Sequence, residues 1–401
     1  MTLRNHSTPA RRRGRGFSLV EIMVGVAIGI VGMLVIFKTI ATWDAHTRST
    51  SAGGDAQSAG NLAMFNLERA IKQAGQGFMA IGPALATPPA SLGCMVNGAD
   101  SGARTLPFAQ FRMVPVEIVL TPNQPDTINV LYGNSPFFVS EEPFTASTAS
   151  SKTLARRNGF RRGDLAIAAV GANCNLLEVT GDANGDGKTI DHADAVSYAD
   201  AYAVPAANKT ARYNSAALPA LGALGNIYSL GPAPRRDSWW VDTGAFAGNR
   251  TGNLMNSEMF SGDPARVIGE GVVNMKAIYG LNTLGALGNR TVNLWTNVAP
   301  VTPADWAQVL SVRVALLVRS RQFERTADQS ASGVPTGVTS VQPTWSGAAV
   351  VPGSNFVMTN VDGTPDNLGP NNPDPNNWRY YRYRVYEKEI PLRNVMWGMA
   401  P

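Results

Sequence analysis

Glu21 is the residue that most needs a chemical explanation. It is the one charge in residues 17–37, FSLVEIMVGVAIGIVGMLVIF. A carboxylate within an apolar helix is costly unless a cation meets it. A second cluster sits at Asp182-Ala-Asn184-Gly-Asp186-Gly187. Oxygen ligands at alternate positions, followed by glycine, open a calcium loop. The last position of such a loop wants a bidentate acid and here is Ala193, with Asp191 and Asp194 on either side. Calcium is therefore one reading, with Asp182, Asn184, Asp186 and Asp194 as ligands. A Gly/Asn/Asp turn with His192 on the surface beside it is the other. Cys94 and Cys174 are 80 residues apart, which is neither a CxxC pair nor zinc spacing. The three histidines, His6, His46 and His192, leave little for a Ser-His-Asp triad or a multi-histidine metal centre. There is no GxGxxG or phosphate loop. No catalytic set is visible, so the chain does not read as an enzyme.

The element that must hold Glu21 is a helix. At about 1.5 Å per residue, residues 17–37 would span about 31 Å, enough for a bilayer core. Five arginines (Arg4, Arg11, Arg12, Arg13 and Arg15) precede it and only Lys38 closely follows. That asymmetry puts the N-terminus in the cytoplasm and the rest across the membrane. An ordinary signal peptide would have a shorter apolar run and a small-residue cleavage site. The same arginines account for the whole formal net charge of +5. The remainder is neutral, with no basic face, so nucleic-acid binding is not expected.

Gly16-Phe17-Ser18-Leu19-Val20-Glu21, between a short basic leader and an apolar helix, resembles the class III signal of type IV prepilins. The resemblance implies that prepilin peptidase cuts between Gly16 and Phe17 and N-methylates Phe17. It also implies that Glu21 meets the Phe17 amine of a neighbouring subunit and so sets the axial register of a filament. A buried carboxylate facing a cation is physically sensible. Gly25, Gly29 and Gly32 suit close helix packing, or are ordinary membrane-helix glycines.

Beyond Lys38, an amphipathic helical stripe runs through Ile40, Trp43, Leu62, Phe65, Leu67, Ala70, Ile71 and Ala74. Ser49 to Gly54 and Gly60 predict a kink or partial melting. Gly75-Gln76-Gly77 stops the helix. Strands are expected at 114–120, 127–132, 165–170, 174–179, 265–278, 308–319 and 379–391. Residues 359–377, rich in Pro, Asn and Asp, read as a mobile loop.

Several segments resemble the PilW family of minor pilins: 126–133 (DTINVLYG), 163–179, 270–283, 303–325 and 380–397 (YYRYRVYEKEIPLRNVMW). Residues 181–240 fit no part of that pattern and read as an insertion or variable loop. Trp239-Trp240 and Tyr380-Tyr381 are either exposed contacts for another subunit or sheet packing.

The expected organisation is a leader (1–16), a transmembrane half-helix (17–37), a periplasmic amphipathic half-helix (38–76) and a β-rich head (77–401). The fold class is α+β and pilin-like: a long N-terminal helix packed on an antiparallel sheet domain with large insertions. In an oxidising periplasm Cys94 and Cys174 would pair as a disulfide, tying the loop after the helix to strand 174–179. Two separate buried thiols are the alternative. The resemblance implies an inner-membrane minor pilin that enters a type IV pilus near its tip and helps start assembly. Its partners would be prepilin peptidase, other minor and major pilins and the inner-membrane assembly platform. A pseudopilin of a type II secretion system shares the leader and Glu21. A membrane-anchored hydrolase or calcium-dependent binding module would leave Glu21 unexplained.

Overall fold

The computed structural model describes residues 18–79, 91–101, 110–137, 141–156, 159–182, 185–244, 252–284, 290–329 and 335–398. The chain divides into two units, Met1–Ala52 and Gly53–Pro401. Gly16, Phe17 and Asn184 lie outside the described residues.

One helix, Leu19–Gln73, runs through the boundary between the units. Within the first unit, Leu19–Ile40 is long and apolar enough to cross a membrane, and none of its residues is buried. The helix continues through Gly53, Gly54 and Gly60, so these glycines do not end it.

Among the described residues the second unit holds three larger sheets and two two-stranded ones, Ser197–Ala199 with Asn208–Thr210 and Arg325–Gln329 with Pro335–Gly337. The largest has eight strands in the order Phe111–Arg112, Met95–Asn97, Asn173–Glu178, Leu165–Val170, Gly225–Gly231, Glu142–Ser147, Ser151–Leu154, Thr189–Asp191. A five-stranded sheet runs Arg266–Glu270, Asn253–Glu258, Arg235–Asp242, Thr127–Tyr132, Val116–Val119. A four-stranded sheet runs Leu294–Thr296, Val272–Leu281, Val309–Arg319, Tyr383–Pro391. Pairing within these sheets is antiparallel except between Met95–Asn97 and Asn173–Glu178.

Continuous apolar strands are buried on both faces. In Val309–Arg319, Val312, Val314, Leu316 and Val318 join the main core, while Ala315 and Leu317 join a second cluster with Trp345, Phe356 and Trp378. Leu165–Val170 behaves likewise: Leu165, Ile167 and Ala169 face the main core, and Ala166 and Ala168 face Phe144 and Ile227. That double burial explains why both segments lose the polar alternation of a one-sided strand.

Two expectations about the strands need correction. Residues 181–240 are not a variable loop, because they supply Gly225–Gly231, internal to the eight-stranded sheet, and most of Arg235–Asp242, internal to the five-stranded one. Residues 265–278 form two strands, separated at Gly271, whose φ of 82° suits glycine. Of the two readings of the aromatic pairs, sheet packing holds for Trp239, Tyr380 and Tyr381, which are buried. Residues 359–377 do lack regular strands, but Asn360 and Asn377 stitch them together. The Asn360 amide donates to Pro365 O and Asn367 Oδ1, and the Asn377 amide to Gly369 O and Asn372 O.

Candidate functional site

Glu21 lies in the first turn of the long helix, where Ser18 N–H donates to its Oε2 at 3.3 Å. A carboxylate there meets the positive end of the helix dipole. A Cβ added at Gly25, Gly29 or Gly32 would meet nothing within 4 Å. These glycines leave notches along the helix surface into which another helix can settle.

Within the second unit, the helix is seated by small residues, one ion pair and a side-chain cap. Ala63, Leu67, Ala70, Ile71 and Ala74 bury one stripe in the main core. Gly60 lies against the Tyr386 ring so closely that a Cβ there would overlap it. A Cβ on Gly269 would come within 2.7 Å of Ala63 Cβ. These glycines allow helix and strands to approach, and Gly60 is therefore a packing residue rather than a helix breaker.

Lys388, on strand Tyr383–Pro391, reaches Glu68 Oε2 at 2.8 Å, and Lys72 reaches Oε1 at 2.6 Å from one turn away. The Lys388 hydrogen bond, followed by that of Lys72, holds the Glu68 carboxyl below its usual value. At the helix end, Gly75 and Gly77 adopt φ of 83° and 93°. Gly75 N–H donates to Leu131 O at 2.9 Å, and Gly133 N–H to Gln76 O at 2.8 Å. The Asn394 amide donates to Gln73 O at 3.1 Å and Ala74 O at 3.0 Å. Two carbonyls at the helix C-terminus, those of Gln73 and Ala74, thus find a donor in Asn394.

Cys94 and Cys174 form the disulfide, with Cα atoms 6.1 Å apart. It anchors the loop after the helix to strand Asn173–Glu178, beside the parallel pairing of Val96 with Cys174. Asp182 Oδ1 accepts from Gly185 N–H. Asp186 accepts from the N–H groups of Lys188 and Thr189 and from Thr189 Oγ1. Those backbone donors lower the Asp186 pKa. Asp194 is exposed. Among the described residues, no group of three His, Cys, Asp or Glu could hold a metal. His192 is half-buried, with its Nε2 2.9 Å from Lys152 Nζ.

Sequence reading missed the seat contacts of Tyr386, Gly269 and Asn394. An i,i+4 search finds Glu68 with Lys72, but no local pattern announces a partner 320 residues away.

Residues 239–394 match the family model of the Type IV Pilus-assembly protein W, and residues 11–37 match the Prokaryotic N-terminal methylation motif. No curated protein and no solved structure matches the chain. The first matched segment ends on Asn394 and contains Gly269, Tyr386 and Lys388. It is the part of the head that holds the helix, and the second matched segment reaches into that helix from its N-terminal side.

Proposed function

We infer that the chain is a minor type IV pilin of the PilW family, cut between Gly16 and Phe17 by prepilin peptidase, methylated on Phe17 and drawn from the inner membrane into the pilus. Its N-terminus is cytoplasmic and its head periplasmic until assembly. Glu21 then meets the new Phe17 amine of a neighbouring subunit. In an apolar filament core, that pairing removes the cost of an isolated carboxylate and is satisfied at one axial offset.

The observation that carries this reading is the location of the two matched segments, one at the start of the long helix and the other at its seat. A helix held at one end by Glu68–Lys388 and the Asn394 cap can transmit assembly force to the head. We place the protein near the pilus tip, as part of an initiating complex with other minor pilins, because a bulky head is hard to repeat along a tight shaft. The assembly platform and major pilins are its further partners. The chain acts as a substrate and subunit, with no catalysis of its own.

A deletion strain tests this. Wild-type protein should restore surface pili. Glu21→Ala should still be cut yet restore few or none. Restoration of type II secretion with no effect on pili would favour the pseudopilin reading instead.

A further inference from the structure

A buried lysine without a counter-ion opens onto a cavity on the eight-stranded sheet. In strand Ser151–Leu154, the inward positions are Lys152 and Leu154. Leu154 joins Ile190, Phe144 and Val179 in a buried cluster. Lys152 takes the neighbouring inward position and is only 4% exposed. Its Nζ donates to Thr148 O at 3.0 Å and His192 Nε2 at 2.9 Å, with a longer contact of 3.4 Å to Ser151 O. All three acceptors are neutral when His192 is neutral. Among the described residues, no Asp or Glu forms an ion pair with Lys152.

An ammonium group out of water is costly unless an anion faces it. Burial pushes the Lys152 pKa down to about 8. Burial, then the Lys152 charge, pushes His192 down to about 4. At neutral pH the pair therefore carries one positive charge. Lys152 and His192 line a cavity of about 240 Å³ together with Asn214, Leu176, Leu218 and Leu221. That exceeds the roughly 150 Å³ that accommodates benzene in an engineered apolar cavity. The contact to Ser151 is beyond ordinary N–H···O range, so that proton can be redirected to a ligand.

We propose that this pocket binds a small organic carboxylate, its charged end on Lys152 Nζ and its short apolar body against Leu176, Leu218 and Leu221. The strand that carries Lys152 lies outside the segment matched to the pilus-assembly family. The site belongs to the eight-stranded sheet, and the proposal does not rest on the assembly role.

The test uses the disulfide-intact full chain in detergent micelles at pH 7, with butyrate and its neutral counterpart butyramide as probes. Calorimetry should show butyrate binding at least tenfold tighter than butyramide, and butyrate alone should raise the thermal midpoint. Lys152→Met should weaken butyrate binding at least tenfold. Leu221→Trp, which keeps the lysine and fills the cavity, should do the same, and it carries the test if Lys152→Met does not fold. Equal response to both probes, butyrate binding unchanged in the folded variants, or no binding to the wild-type chain would overturn the proposal.

Discussion

At the scale of single residues, charge and volume at the helix seat make specific demands. Glu68 has its pKa lowered by Lys388 and Lys72. A depressed carboxylate stabilises the fold fully above its ordinary value of 4.5, and the contribution is lost as pH falls through the folded value. Lys388→Met should therefore lower the thermal midpoint at pH 7, and the difference from wild type should shrink as the buffer is taken below 4.5. A constant difference across that range would remove the ion pair from the account. Gly60→Ala should cost about 1–3 kcal/mol, because the new methyl must displace the Tyr386 ring. Measured by denaturant unfolding, a neutral or stabilising effect would instead restore Gly60 as an ordinary helix glycine. Asp126 and Lys276 form a buried pair at 2.8 Å, and Lys276 also donates to Gln124 O. Lys276→Met should destabilise by about 3–5 kcal/mol, and adding an apolar residue at Asp126 should recover part of it.

At the scale of elements, the disulfide and the helix seat are what hold the head together. Cys94 and Cys174 close a loop of sequence separation 80, so reducing the bond, or Cys94→Ala with Cys174→Ala, should cost about 4–5 kcal/mol by chain entropy. Thermal unfolding with and without reductant measures this directly. The strands 127–132 and 165–170 were legible to the residue, because β-branched and apolar runs there end at clear turn signals. The long helix was legible from its apolar run and stripe. Its continuity through Gly53, Gly54 and Gly60 was not, since local propensity cannot register the Tyr386 ring that Gly60 accommodates. Residues 181–240 were misread for a related reason. They fit no part of the family pattern that guided the reading, while strand Gly225–Gly231 becomes evident only from its neighbours Leu165–Val170 and Glu142–Ser147. The Trp and Tyr pairs were ambiguous because aromatic residues serve sheet packing and interfaces alike.

At the scale of the whole molecule, two features carry the assignment: an apolar helix with one early acid, and a β-rich head whose C-terminal strands grip the same helix. The first was legible from residues 16–37 alone. The second needed the fold, because Glu68 meets Lys388 and Gln73 meets Asn394 across nearly the whole chain. The buried Lys152 beside His192 was invisible in sequence, where a lysine on a short polar strand looks solvated. The central claim is that this chain enters the pilin pathway through its leader. The most direct test is intact-mass and N-terminal analysis of the protein from membranes of cells with and without prepilin peptidase. The account predicts a mature chain beginning at N-methyl Phe17 only when the peptidase is present, and the full arginine leader when it is absent. A chain that keeps its leader in both, or is cut near residue 40 in both, would contradict it.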